Sequence, residues 1–118
     1  MTPFHAHIYF SENHLPSARL WEKKAKAASL FTFVQLQKTA IGPHRSGMIE
    51  THFNEENHES VLKWLNLNRE HFSVFIHQDT GDDHRDHTQG IQWLGPEMEL
   101  DFNFFELIKK RPELRIHG

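Results

Sequence analysis

From Phe4 to Phe10 the chain reads FHAHIYF. Side chains alternate across a strand, so Phe4, Ala6, Ile8 and Phe10 share one face while His5, His7 and Tyr9 share the other. The first face is core material; the second carries polar chemistry. From Glu12 to Ser29 the apolar residues Leu15, Ala18, Trp21, Ala25 and Ala28 recur at three- and four-residue spacing, largely opposite Lys23, Lys24 and Lys26. That spacing predicts an amphipathic helix, in which Pro16 is tolerated because it lies in the first turn. Alternation returns from Phe31 to Thr39 (FTFVQLQKT), is broken by turn residues from Ile41 to Gly47, and resumes from Met48 to Phe53. The polar stretch Asn54 to His58 offers Asn54 or Asn57 as an N-cap. Val61, Leu62, Trp64 and Leu65 then mark a second helix that ends near Asn68 to His71. Ser73 to Gln78 (SVFIHQ) reads as a fourth strand. A polar segment from Asp79 to Gly90, a short strand from Ile91 and a final helix from Phe102 to Lys110 complete the chain.

The order β-α-β-β-α-β is the ferredoxin-like α+β pattern with an antiparallel sheet, here extended by a short strand and a C-terminal helix. Both helices cover one sheet face in this topology, and the other face is left for solvent, a second subunit or a ligand cavity. The first and third strands are expected at the centre, with the fourth as an edge strand beside the first. The same parity can be followed through the remaining strands. Val74 and Ile76 oppose Phe75 and His77; Ile49, Thr51 and Phe53 oppose Met48, Glu50 and His52; Thr32, Val34 and Leu36 oppose Phe33, Gln35 and Gln37. His7, His77 and Glu50 are thereby expected to be neighbours on the helix-free face. Two imidazoles and a carboxylate form a facial ligand set that leaves positions open on Fe(II). His52 lies near its strand end and is expected to be plain surface, as are His14, His58, His71, His84 and His117.

Length and composition narrow this picture. At 118 residues the chain supports one domain, spanning 1–118. Thirteen basic against sixteen acidic residues give a net charge of -3 without a basic stripe, which argues against nucleic acid as a partner. The absence of cysteine removes disulfides, thiolate nucleophiles and thiolate ligands, so any metal would be held by nitrogen and oxygen. No charged leader with an apolar segment is visible and the longest apolar runs fall well short of a bilayer span, so a soluble cytoplasmic protein is expected. The compositional outlier is histidine, with 11 residues spread from His5 to His117. Histidine is the commonest metal ligand and titrates nearest neutral pH, so the excess points to a metal or acid/base site.

The stretches HAHIYF, GPHRSGMIE, SVFIHQDTGDDHRDHT and WLG, in that order between Phe4 and Gly95, resemble the DOPA 4,5-dioxygenase family of small ring-cleaving extradiol dioxygenases. The resemblance implies a homodimer that uses O₂ and a non-haem metal to open a catechol ring beside its hydroxyls. Fe(II) is the expected metal, with another divalent ion possible in its place. Carried over by motif, the resemblance implies His7, Glu50 and His77 as ligands and His44 as an acid/base or substrate-orienting group. It places His5 and His87 around the ligands or at the pocket mouth, and Tyr9 and Arg45 toward the substrate. Arg45 stands where the family pattern has proline, and His84 is an additional histidine in the acidic segment. That segment lacks the ligand spacing and distal glutamate of an EF-hand and is read as a solvated lid that carries His87. Two other classes compete: a metal-free dimeric α+β barrel monooxygenase, and a ligand- or metal-binding module without turnover, since ferredoxin-like folds host many functions. The gathering of histidines on one face favours the dioxygenase.

Overall fold

The structure is a computed structural model and describes residues 3–37 and 47–98. The expected C-terminal helix, Phe102 to Lys110, lies outside the described residues, as do His44 and Arg45. Strand β1 (Pro3–Phe10) leads through a 3-10 turn, Glu12–His14, into helix α1 (Leu15–Ala27), with Pro16 in its first turn. Strands β2 (Phe33–Gln37) and β3 (Gly47–Asn54) follow, then a 3-10 turn at Glu55–Asn57 and helix α2 (His58–Asn68). Strand β4 (Ser73–Gln78), a one-turn helix α3 (Asp83–Asp86) and strand β5 (Gln92–Leu94) close the described chain.

The five strands order as β2-β3-β1-β4-β5, all neighbours antiparallel. The expected α+β, ferredoxin-like order is therefore present, with β1 and β3 inside the sheet. The fourth strand departs from expectation. It is not an edge, because β5 pairs along its outer side with Phe75 opposite Trp93 and Val74 opposite Leu94. Only three residues make that strand, too few to carry a periodicity that would place it.

One core lies between the sheet and the helices. α1 contributes Ala18, Trp21 and Ala25, and α2 contributes Val61 and Leu65. These pack on Ala6, Ile8, Phe10, Ile49, Phe53, Val74 and Ile76 from the sheet, the residue set that strand parity selects. Small alanines on α1 let its backbone approach the sheet, while burial of Trp21, Phe53 and Phe72 contributes about 1.5–3 kcal/mol each. Trp21 Nε1 donates to the Asn68 carbonyl at 2.8 Å, tying α1 to the end of α2, and Trp21 meets Trp64 edge to face at 5.2 Å. Thr51 is the one hydroxyl on this face of β3; it is satisfied by donating to the Ala6 carbonyl at 2.8 Å.

The helix-free face is not left to solvent. His5, His7, Tyr9, Met48, Glu50, Phe75 and His77 are all buried, and Tyr9, Met48 and Phe75 form a second apolar cluster with Trp93. Gly95, directly after β5, has φ +80, a conformation that favours glycine. A Cβ there would fall 2.5 Å from Arg69 Nη1, the atom that donates to the Phe72 carbonyl at 3.2 Å. The glycine of the WLG stretch thus makes room for the arginine that braces the start of β4.

Candidate metal centre

Strand register assembles the site in rows across the sheet. Phe33 opposes His52, His52 opposes His5, and His5 opposes His77. The next row runs Gln35, Glu50, His7, Phe75 and Trp93. Every member of both rows points away from the helices because side chains two apart on a strand share a face. Residues far apart in sequence become neighbours without any loop having to place them.

Within these rows His5, His7 and His77 each bring one ring nitrogen to within 4.8 Å of the others, and all three are buried. His7 Nε2 and His77 Nε2 lie 2.9 Å apart. His77 Nδ1 is 2.7 Å from the Gln78 carbonyl oxygen, an acceptor only, so Nδ1 carries the proton there. His7 Nδ1 is 3.2 Å from the Met48 thioether, likewise an acceptor, and that bond too needs N–H on Nδ1. In neutral rings both Nε2 atoms then present lone pairs toward each other. Two lone pairs at that separation repel unless a cation or a shared proton lies between them. Nitrogens each about 2.1 Å from one ion and at right angles to each other would be about 3 Å apart, so the spacing suits two neighbouring ligands of a single metal. The donor set fits a divalent first-row ion bound by nitrogen.

Among the described residues, Glu50, His87 and Tyr9 lie beside this group, and Asp79 and His52 contact His5. His5 Nε2 faces Asp79 Oδ2 at 3.3 Å, and its ring stacks on His52 at 3.9 Å and 5°. Glu50 sits opposite His7 in register and is buried, yet its carboxylate accepts from His52 Nε2 at 2.6 Å. His87 is buried with its ring centroid 4.3 Å from that of His77 and 5.6 Å from that of Phe75. Tyr9 continues the face beyond His7 and is 3% exposed; burial pushes its phenol pKa well above the ordinary value, so the hydroxyl stays protonated. Its ring packs against Trp93 at 5.9 Å.

The segment after β4 is less solvated than its composition predicts. Asp86 is buried and accepts two bonds from Thr80, from the backbone N–H at 2.8 Å and from the hydroxyl at 2.6 Å. Asp82 caps the one-turn helix α3 by accepting from the Arg85 N–H at 3.1 Å. The loop is thereby closed on itself and seats His87 over the histidine group. His52, expected to be surface, is drawn into the site by its cross-strand pairing with His5; its register on β3 was the available signal. Asp79 and Met48 are two further neighbours that residue type alone does not single out.

Most of the chain is similar to known proteins. The profile described as the Dopa 4,5-dioxygenase family matches residues 4–104. The chain is 29% identical over 107 residues to the DOPA 4,5-dioxygenase of Amanita muscaria, covering 83% of this chain and 47% of that protein. It is 28% identical over 120 residues to a 21.2 kDa protein of Botryotinia fuckeliana, covering 92% of this chain and 66% of that one. The chain therefore spans roughly half to two thirds of the length of these curated relatives. A crystal structure from Nostoc punctiforme PCC 73102, described as a candidate dioxygenase, matches with a TM-score of 0.79 at 32% identity, over 92% of this chain and 94% of that one.

Proposed function

The chain belongs to the Dopa 4,5-dioxygenase family, and from that membership we propose that it is a metal-dependent extradiol dioxygenase acting on a catechol. The observation that carries the reading is the convergence of buried nitrogens from His5, His7 and His77, with the Nε2 atoms of His7 and His77 2.9 Å apart. We assign these three as ligands, His5 taking the place expected for Glu50 because the Glu50 carboxylate is held by His52. Fe(II) suits an all-nitrogen, cysteine-free set and O₂ chemistry. Bound there, the ion would hold catechol and O₂ side by side and offset the charge of the deprotonated catechol.

The chain's own residues supply the rest. A catechol must lose protons to chelate, and His87, buried against His77, is the described imidazole placed to take one. His44 is retained in the same proton-handling role, and Arg45 in contact with the substrate, on the motif alone. Phe75, Trp93 and Tyr9 form an aromatic cluster beside His7, the Tyr9 and Phe75 rings tilted 30° and 34° on Trp93, that suits an aromatic ring and keeps water from the reacting face. Both atoms of O₂ enter the opened ring, leaving an aldehyde on one carbon and a carboxylate on its former neighbour. A homodimer and a cytoplasmic setting complete the reading.

Oxygen consumption tests it. Protein reconstituted anaerobically with Fe(II) and mixed with a panel of catechols should take up one O₂ per ring opened, and chelation of the iron should stop the reaction. No uptake with any catechol would refute the proposal. Activity that is indifferent to chelation would point instead to the metal-free monooxygenase class.

A further inference from the structure

Glu50 is a buried carboxylate opposite a proposed ligand, and the obvious role for it is on the metal. Its surroundings indicate another. The acceptor oxygen Oε2 lies 2.6 Å from His52 Nε2, a short charge-assisted bond between residues two apart on one face of β3. His52 in turn stands in a stack. Phe33 covers one side at 4.5 Å and 23°, and His5 lies against the other at 3.9 Å and 5°. His5 then meets His77 edge-on at 5.1 Å and 64°. Phe33, His52, His5 and His77 are consecutive cross-strand partners, so the stack follows one row of the sheet from β2 to β4.

An imidazole can bind a metal only when its ring plane contains the ion, and the torsion that sets this plane, χ2, is broad for a ring on a methylene. Asp79, 3.3 Å from His5 Nε2, holds one edge of the ring, and a contact against the ring face is what fixes the plane about that edge. The flat, nearly parallel face of His52 does this, and His52 is itself kept from turning by the Glu50 bond and the Phe33 ring. Resting on the three-histidine reading above, we propose that His52, oriented by Glu50, is a positioning residue that sets the His5 ring plane, and that Glu50 acts through His52 rather than on the metal.

Co(II) serves as the probe, because its affinity and its visible d–d spectrum report ligand identity and geometry without turnover. Three variants separate the roles. Glu50→Gln keeps an oxygen that accepts from His52 and should leave Co(II) affinity within about threefold of wild type with the same spectrum, whereas loss of a true ligand would exceed the 10–100-fold typical of outer partners. Glu50→Gln with His52→Phe retains a flat ring in the stack and should bind equally well. Glu50→Gln with His52→Leu or His52→Ala removes the flat face and should weaken binding about tenfold or more and alter the spectrum. Far-ultraviolet circular dichroism checks that each is folded, and either aliphatic variant suffices. A loss of more than about a hundredfold with a changed spectrum in Glu50→Gln alone would make Glu50 a ligand and overturn the proposal. Equal binding by the Phe and aliphatic variants would overturn it too. Failure of the wild-type chain to bind Co(II) would instead remove the three-histidine centre, and this inference with it.

Discussion

Tyr9 is the only tyrosine in the chain, so tyrosinate absorbance reports one buried group. Its raised pKa means that the folded state holds the phenol proton after the unfolded chain would release it. The unfolded state then binds fewer protons, and stability falls as pH rises above about 10. We predict that tyrosinate appears only together with loss of the near-ultraviolet circular dichroism signal; ionisation near pH 10 in a fully native spectrum would show that the ring is wet. The histidines give a second prediction at this scale. Fe(II) at a hundred times its dissociation constant should stabilise the wild type by about 2.7 kcal/mol, and His7→Ala or His77→Ala should show no such gain in an anaerobic melt. Which residues face the site was legible beforehand, since the pleat fixes parity for His5, His7, Glu50, Phe75 and His77 alike. Rotamers were not. Whether Glu50 reaches inward or turns along its own strand to His52 depends on side-chain torsions that no periodicity records.

Among the elements, the segment between β4 and β5 differs most from its composition. Seven of its twelve residues, Asp79 to Gly90, are Asp, His or Arg, which suggests solvation, yet Asp86 and His87 are buried. Two bonds from Thr80 to Asp86 account for this, because a satisfied carboxylate can be enclosed where an unpaired one cannot. Asp86→Ala leaves the Thr80 donors without their acceptor and should cost about 1–3 kcal/mol. Hydrogen exchange should localise the loss to the amides of residues 79–90, and unchanged exchange there would contradict a structural role for the pair. Gly95→Ala should also destabilise, by about 1–3 kcal/mol, since the new Cβ meets Arg69 at a positive φ. Thermal melting with Arg69→Ala as the second arm of a double-mutant cycle would show the two effects to be non-additive. The long elements were legible because each carries several turns or pleats of pattern; β4 in particular runs from Ser73 to Gln78 as the alternation indicates. Short β5 was legible as a strand from Ile91 but its place beside β4 was not, and one-turn α3 carries too little pattern, since both depend on partners elsewhere.

At the level of the whole molecule, a single sheet divides two kinds of interior. One side holds Trp21, Phe53, Leu65 and Ile76 under the helices, and the other holds imidazoles, a carboxylate and a small aromatic cluster. The second side is costly to bury without compensation, because polar groups removed from water must be paired. Three of its ring nitrogens lie within 4.8 Å of one another, close enough for one ion to supply that pairing. The homodimer proposed with this activity predicts twice the monomer mass of 14.0 kDa in sedimentation velocity; a single species at the monomer mass would contradict it. The central claim, that His5, His7 and His77 hold one metal ion to which a catechol binds, is tested most directly by anomalous diffraction at the iron edge. The crystals would be grown anaerobically with Fe(II) and a catechol. The account predicts one peak about 2.0–2.2 Å from a ring nitrogen of each of the three histidines, with both catechol oxygens on the same ion. A peak bound to the Glu50 carboxylate instead of His5, or no peak among these residues, would contradict it.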